Sequence, residues 1–308
     1  MDKPPEIFDR HLLRQRKTRA AAGMARAAFL LEHVAADFAE RLALIKRRFA
    51  LGLDLSAHGT LLSDRLLRTG KVDRMLRSAL VPELCGPADG DAFVGDEETL
   101  AVAPGALDLV VSGLSLQLVN DVPGALRQIA SVLKPDGLFL AAVLGPRSLE
   151  QLRAACASAE IALTGGLSPR VAPFADIRDL GALLQRAGFA LPVTDTELLT
   201  VTYPSPVALM ADLKAMGASN VLNERRKTWM RRDLMAAVRD AYARDFASPD
   251  GRVPASFEIV TLTGWAPHDG QQKPLRPGSA RASLESAMTE IGGSAQGDLE
   301  GGGHRAKD

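Results

Sequence analysis

Near the middle of the chain, apolar and polar residues alternate in blocks that have the lengths of a strand, a helix and a second strand. Leu107 to Val111 is apolar and rich in β-branched residues, as expected for a strand covered on both faces. A helix is predicted to begin after Asp121, which can cap it, and its apolar residues recur every three or four positions. Lys134 to Gly137 is predicted to end this helix and turn the chain into a buried strand, Leu138 to Leu144. A helix between two such strands predicts a parallel βαβ unit.

The same periodicities predict elements on both sides of this unit. Two helices are expected before residue 48. The further predicted strands are Phe49 to Leu55, Val72 to Arg77, Ala92 to Val94, Leu191 to Val201 and Ser256 to Trp265. A further helix is predicted from about Leu61 to Gly70. Four more are predicted at residues 149–163, 177–187, 206–216 and 231–246.

Five parallel strands that alternate with helices, followed by a late hairpin-like pair, predict an α/β fold with a doubly wound, Rossmann-like sheet. Residues 1–48 are predicted as an N-terminal helical segment, and residues 49–266 as the main domain with a helical cap inserted at 204–250. After Pro267 the hydrophobic pattern fades, so residues 267–308 are predicted to form a mostly disordered tail. Ligands of such sheets bind beyond the carboxyl ends of the strands, which directs attention to the loops after the first four.

Composition narrows the class of partner. The chain has 308 residues, of which 46% are hydrophobic, so it can bury one large core. Lys and Arg number 37 and so do Asp and Glu, and this balance gives no general argument for nucleic acid. Basic residues are concentrated from Arg10 to Arg26, where no acid occurs. Because acids precede this run, a solvated helix face or a partner-docking arm is preferred to a transit peptide. No apolar run reaches the length of a membrane span.

Cysteine and histidine give little sign of redox or metal chemistry. Cys85 and Cys156 lie far apart without a CxxC pattern, which suits a reducing compartment. None of the five histidines forms an HxxxH or HxD pair, so no metal site is predicted.

The segment from Phe49 to Trp265 resembles the class I S-adenosylmethionine-dependent methyltransferases. In that family the first strand ends in a DxGxG-like loop, whose glycines let the backbone approach the cofactor. By this resemblance Asp54 is the family's acid, and Ser56 and Gly59 belong to the cofactor loop. The family's ribose-binding acid after the second strand has no counterpart in residues 77–80, which read RSAL.

Two further loops carry the resemblance. Gly95-Asp96-Glu97 precedes the fourth strand much as in the family's GDAE run, so Asp96 is expected to accept from the adenine amino group, with Glu97 beside it. The residues expected to line the cofactor after the fourth strand are Gly113, Leu114 and Ser115. A nucleophile elbow is rejected for this stretch, because the second glycine position is Gln117 and no histidine partner is evident.

More specifically, the chain resembles the mitochondrial complex I assembly factor 5 family and its bacterial relatives. The matching segments are PEIFDR at 5–10, SPRVAPF at 168–174, MGASN at 216–220, and FEI to GWAP between 257 and 267. The resemblance implies S-adenosylmethionine as cofactor and a complex I subunit or another protein as partner. Arg170, Tyr203 and Asn220 are predicted substrate contacts, because they lie in or beside loops near the cap.

Three functions remain open at this point. The leading one is a methyltransferase-type enzyme in complex I assembly, with a malonyl-carrier-protein methyltransferase as a less favoured form. The second is a protein arginine hydroxylase, although the two-His-one-carboxylate triad of an iron oxygenase is not evident at the usual spacing. The third is a catalytically degenerate scaffold that docks partners through the basic helix. The expected location is the bacterial cytoplasm, with the mitochondrial matrix as the alternative.

Overall fold

The computed structural model describes residues 6–55, 57–87 and 90–272. One compact unit extends to His268, and the second begins at Asp269, of which residues 269–272 are described. The predicted disordered tail falls largely on residues 273–308, outside the described residues. No helix in the described ranges has the length and apolar character needed to cross a membrane.

A seven-stranded sheet forms the centre of the first unit, in the order β3-β2-β1-β4-β5-β7-β6. The first five strands run parallel, β7 pairs antiparallel with β5, and β6 pairs antiparallel with β7. The strands are β1 Phe49–Leu55, β2 Val72–Ala79, β3 Ala92–Val94, β4 Leu107–Gly113, β5 Leu133–Leu144, β6 Ala190–Tyr203 and β7 Val253–Trp265.

Eight α-helices are present among the described residues. They are α1 Arg10–Ala21, α2 Phe29–Leu44, α3 Leu61–Leu67, α4 Val122–Val132, α5 Glu150–Thr164, α6 Ile177–Arg186, α7 Pro206–Ala215 and α8 Arg232–Phe246. Short 3₁₀ turns occupy Met24–Ala27, Pro82–Leu84 and Leu116–Leu118. The predicted cap of α4 is confirmed, since the Asp121 carboxylate accepts from the Gly124 amide at 2.8 Å.

The central strands bury both faces, which is why they read as continuous apolar runs. On one face, Val110 and Phe139 pack with residues of α4 and α6 such as Ile129 and Leu184. On the other face, the alternate strand residues pack with α2 and α3, whose Phe38, Leu42 and Leu66 are fully buried. Burial of each such side chain stabilises the fold by about 1.5–3 kcal/mol. A third apolar cluster joins α5, α7 and α8 to the ends of β6 and β7.

Two details of the predicted elements are wrong. The helix α4 ends at Val132 as expected, but Lys134 to Gly137 is not a separate turn, because β5 already begins at Leu133. The pairing of β4 with β5 is irregular there, and Asp136 adopts a left-handed φ of 61°, so the strand absorbs the bend. The second strand continues beyond its predicted end at Arg77 to Ala79.

Candidate functional site

A cavity of about 390 Å³ lies beyond the carboxyl ends of β1, β4 and β5, and is called the strand-end cavity here. Its size falls within the range of about 300–1,000 Å³ that is common for small-molecule sites. The α1–α2 segment forms one wall with largely apolar side chains. Its polar or glycine lining residues are Lys17, His58, Gly59, Thr60, Glu83, Gly113 and Gln117.

The loop after β1 supplies the floor of this cavity. Gly59 has a φ of 71°, the left-handed region that favours glycine, and its amide donates to the Leu84 carbonyl at 2.9 Å. Gly59 lines the cavity as predicted, and His58 beside it does too. Ser56, the other predicted cofactor residue of this loop, lies outside the described residues.

Asp54, at the end of β1, lies beneath this loop and does not itself line the strand-end cavity. Its carboxylate is 1% exposed and accepts from the Ser63 hydroxyl at 3.1 Å. Burial raises the pKa of Asp54 to about 7, although Ser63 and the positive charge of Arg77 oppose the change. Asp54 therefore joins the end of β1 to α3, and its carboxyl group is partly protonated near neutral pH.

Lys17 and His58 meet at the side of the cavity next to α1. The Lys17 ammonium donates to His58 Nε2 at 2.7 Å. Burial lowers the pKa of Lys17 to about 8, with Glu97 opposing the change. Burial and the Lys17 charge lower the pKa of His58 well below its usual range, which keeps the ring neutral and able to accept. Sequence reasoning missed this pair, because no short pattern links residues 41 positions apart.

The acidic loop before β4 binds α1. One Nη of Arg10 donates to Asp96 at 2.5 Å and also to Glu97, and Arg14 donates to Asp96 at 2.5 Å. Arg10 is 11% exposed and Glu97 is 4% exposed, so this ion pair is largely removed from water. The interpretation of the basic run as a solvated face or docking arm is therefore wrong for Arg10, which joins α1 to the sheet.

Asp96 and Glu97 are close together, as predicted, but they face different surroundings. Asp96 is absent from the lining of the strand-end cavity and its carboxylate is held by the two arginines. Glu97 and Ser115 line a neighbouring space of only about 20 Å³, which Lys17 and His58 also line. A space of that size holds a water molecule but not an adenine ring.

Gly113, Leu114 and Ser115 follow β4, and the first two line the strand-end cavity. Leu114 adopts a left-handed φ of 58°, an uncommon conformation for a large side chain that concentrates at functional loops. Ser115 is buried, and its hydroxyl lies 3.0 Å from that of Ser112. The Ser115 hydroxyl therefore has a hydrogen-bond partner within the protein.

Gln117 contributes an amide to the same loop. Its Nε2 donates to the Leu114 carbonyl at 2.8 Å, whereas its Oε1 is buried without a hydrogen-bond partner among the described residues. A buried acceptor without a partner is costly, which makes it a natural contact for a bound ligand.

Glu83 is an acid after the second strand that sequence reasoning overlooked. It lies four residues beyond the end of β2, in the turn Pro82–Leu84, and lines the strand-end cavity. Its Oε2 accepts from the Thr18 hydroxyl at 3.2 Å. The prediction of no acid covered only residues 77–80, because the strand was expected to end at Arg77. A longer search after the strand would have found it.

A second cavity, of about 590 Å³, adjoins the first and is called the basic cavity here. It is formed by α1, α5, α7 and the loops 165–176 and 216–231. Both cavities have Gln117, Leu118, Leu144 and Ala218 in their walls.

Two of the three predicted substrate residues line the basic cavity. Arg170 donates to the buried Glu160 carboxylate through Nε at 2.8 Å, and Asn220 Nδ2 donates to the Pro169 carbonyl at 2.7 Å. Tyr203 lies instead in the apolar cluster of α7 and α8, where its hydroxyl is buried. Burial and the nearby Asp212 raise the pKa of Tyr203 to about 12.

Within the described ranges, no group of three or more His, Cys, Asp and Glu side chains is arranged to hold a metal ion.

Comparison with known proteins identifies the family to which the chain belongs. A family model described as "Methyltransferase domain" matches residues 61–141. The Danio rerio protein "Arginine-hydroxylase NDUFAF5, mitochondrial" is 36% identical over 293 residues, which cover 93% of this chain and 90% of that protein. The chain belongs to the NDUFAF5 family. The predicted family resemblance is thereby confirmed.

The NDUFAF5 family also has more distant neighbours in sequence and fold. A malonyl-[acyl-carrier protein] O-methyltransferase of Laribacter hongkongensis is 36% identical and covers 88% of this chain and 94% of its own length. The solved YcgJ protein of Bacillus subtilis has a TM-score of 0.53 at 15% identity, over 77% of this chain and 99% of its own. The phosphoethanolamine N-methyltransferase 2 of Haemonchus contortus has a TM-score of 0.52 at 11% identity, and the match covers 83% of this chain and 60% of that protein. These likenesses confirm the Rossmann-like class I methyltransferase fold.

Proposed function

We propose that this NDUFAF5-family protein binds S-adenosylmethionine in the strand-end cavity and acts as a methyltransferase-type enzyme in the assembly of respiratory complex I. The observation that carries the cofactor is the strand-end cavity itself. Its place beyond the carboxyl ends of the parallel strands is the place where doubly wound sheets bind ligands. The structure of the Haemonchus relative is described as a complex with S-adenosylhomocysteine, which agrees with this class of ligand.

The residues of the cavity fit such a cofactor. Gly59 and Gly113 allow close backbone approach, and Glu83 offers a carboxylate to which two ribose hydroxyls can donate. The unpartnered Gln117 Oε1 can accept from the ammonium of the methionine part. Glu83 thus takes the ribose role that residues 77–80 leave open. Asp96 can serve the adenine only in company with Arg10 and Arg14, which already hold its carboxylate.

The chemistry asked of the protein is mainly positioning. The sulfonium of S-adenosylmethionine supplies an electrophilic methyl group, and transfer needs an acceptor held in line with it. Gln117 and Leu118 lie where the two cavities meet and can orient an acceptor. The segment 204–250 supplies part of the basic cavity through α7 and the following loop, and we assign it the role of a cap over the acceptor side.

Titration calorimetry with S-adenosylmethionine and S-adenosylhomocysteine tests the cofactor assignment. The wild-type protein should bind both. Glu83→Gln should weaken binding about tenfold, because one charge-assisted hydrogen bond to the ribose is worth roughly 1.4 kcal/mol or more. Glu40→Gln, an exposed acid on α2 that is not in the cavity wall, is the matched control and should bind as the wild type does. Absence of heat with both ligands would overturn the assignment and leave the scaffold function as the favoured one.

Arginine hydroxylation of a protein is the second candidate, because the NDUFAF5 relatives carry that activity in their name. Mass spectrometry of complex I subunits from cells with and without the protein decides between the two. A hydroxylated arginine found only when the protein is present supports hydroxylation. An unmodified arginine in both samples removes it.

The partner is proposed from the family resemblance, and the compartment from the name of the relatives. We assign a complex I subunit or another protein as partner, with no nucleic acid. The relatives' name includes the word mitochondrial, which favours the mitochondrial matrix over the bacterial cytoplasm as the site of action. Fractionation of the source cells tests this assignment directly.

A further inference from the structure

The basic cavity has a one-sided charge. Among the described residues that line it, five carry a positive charge and none carries a carboxylate. The five are Arg16, Arg170, Arg225, Arg226 and Lys227.

Carboxylates behind the wall neutralise two of these cations. Arg170 is paired with the buried Glu160, and Arg225 with Asp9 at 3.1 Å. Neither acid lines the cavity.

The other three cations have no ion pair within the described part of the chain. Arg16 donates to the backbone carbonyl of Asn220 rather than to an acid. Burial and the charges of Arg225 and Arg19 lower the pKa of Arg16, with Asp9 opposing the change, as expected where positive charge exceeds negative charge. Arg226 and Lys227 are exposed and belong to the same wall. The cavity therefore holds about three positive charges that an incoming anion can meet.

The remainder of the cavity is apolar. Leu149, Leu152 and Leu213 line it, together with Met210 and Met230. Trp229 belongs to the same wall and is 97% exposed, an unusual surface position for an indole ring. A ligand that fills this space gains from burying an apolar chain of its own.

We infer that the basic cavity binds an anionic amphiphile, a molecule with a carboxylate or phosphate head and an apolar chain. Arginine guanidinium groups match both heads through paired hydrogen bonds. A cationic ligand such as an arginine side chain would meet repulsion from the same wall. As a binding site this stands on the basic cavity alone. As a substrate class it rests on the proposed function, because the shared wall at Gln117 would bring the ligand to the cofactor.

Four eight-carbon probes test the inference on the full-length protein by calorimetry at low salt. They are octanoate, octyl phosphate, octanol and octylguanidinium, which share a chain and differ in the head. At least one anion should bind about tenfold tighter than octylguanidinium, and the preferred head identifies the kind of ligand. Arg16→Gln combined with Lys227→Gln should remove that preference. Arg127→Gln, an exposed arginine on α4 outside the cavity, is the matched control and should keep it.

Two results would overturn the inference. One is equal or tighter binding of octylguanidinium. The other is an affinity for the anions that is the same in the double variant, in Arg127→Gln and in the wild type. S-adenosylhomocysteine is titrated into each protein as well. If the wild-type protein binds S-adenosylhomocysteine but neither anion, the inference alone fails, whereas the reverse result in the wild type fails the proposed cofactor site alone.

Discussion

The carboxyl group of Asp54 shows how a single buried acid makes the stability of the fold depend on pH. It lies at the end of β1 with its charge desolvated, and Ser63 supplies its side-chain hydrogen bond. Because burial raises its pKa from 3.8 to about 7, the folded protein keeps a proton that the unfolded chain releases. The stability from this proton is fully present below pH 4 and is lost as the pH rises through about 7.

Asp54→Asn should remove this pH dependence, because the amide stays neutral and still offers an oxygen to Ser63. Relative to the wild type, the free energy of unfolding of the variant should rise between pH 4 and pH 8. The rise should be on the order of 3–4 kcal/mol, from about 1.4 kcal/mol for each pKa unit. Urea unfolding at several pH values measures it. Parallel pH profiles for the two proteins would contradict the raised pKa.

Leu114 is a second residue whose effect is local. Its left-handed φ of 58° costs an L-residue of this size about 1 kcal/mol or more, and the Leu114 side chain lines the strand-end cavity. Leu114→Gly should relieve the backbone but remove a wall of the cavity. Stability should therefore change by less than about 2 kcal/mol, since the two effects oppose each other. Affinity for S-adenosylhomocysteine should fall, as calorimetry beside urea unfolding would measure. Unchanged affinity would show that the side chain does not contact the ligand.

At the scale of elements, α1 is attached to the sheet by both apolar packing and charge. Leu13 and Ala20 are its buried residues, while Arg10 reaches the acidic loop and the Leu118 carbonyl. A pair as buried as Arg10 and Glu97 is a poor source of stability in itself. Removal of one partner, however, leaves the other as a buried charge without a counterion.

Arg10→Gln should therefore destabilise the protein by about 3 kcal/mol, because Glu97 loses its ion pair in a buried place. Arg14→Gln is the matched control on the same helix. Its side chain is 46% exposed, so the loss of its pair with Asp96 should cost less than about 1 kcal/mol. Urea unfolding of both variants measures the difference. Equal losses of unfolding free energy in the two variants would show that burial does not set the cost of removing these ion pairs.

The elements themselves were largely predictable, since strand and helix periods are local properties of the sequence. The βαβ unit, the hairpin-like late pair and the cap of α4 by Asp121 were all found in this way. The residues of the candidate site were less predictable. Gly59 and Gly113, expected from the family resemblance in the loops after β1 and β4, do line the strand-end cavity. The contact of Lys17 with His58 arises only when α1 folds back on the sheet. Glu83 was missed because the end of β2 was placed two residues early.

At the scale of the whole molecule, the strand-end cavity joins elements from distant parts of the chain. Its walls come from α1 and α2, from the loops after β1, β2 and β4, and from the residues after α7. A ligand there contacts all of them at once, so its binding energy is shared among elements that otherwise meet at few points.

S-adenosylhomocysteine should therefore slow hydrogen exchange of backbone amides in α1 and in residues 57–61. The effect should be absent in α6, which packs with α4 on the face of the sheet opposite to α2 and lines neither cavity. At a hundredfold excess over its Kd, the ligand should stabilise the folded protein by about 2.7 kcal/mol. Hydrogen-exchange mass spectrometry gives the map. Protection confined to the loop after β4 would mean that α1 does not close on the ligand.

The wall shared by the two cavities has a thermodynamic consequence. Gln117, Leu118, Leu144 and Ala218 can adapt to one occupant only by changing the shape offered to the other. Linkage then requires reciprocity: whatever factor the first ligand imposes on the affinity of the second, the second imposes on the first. If the factor exceeds one, each ligand retains the other until turnover. If it is below one, the departure of one product is driven by the arrival of the next ligand.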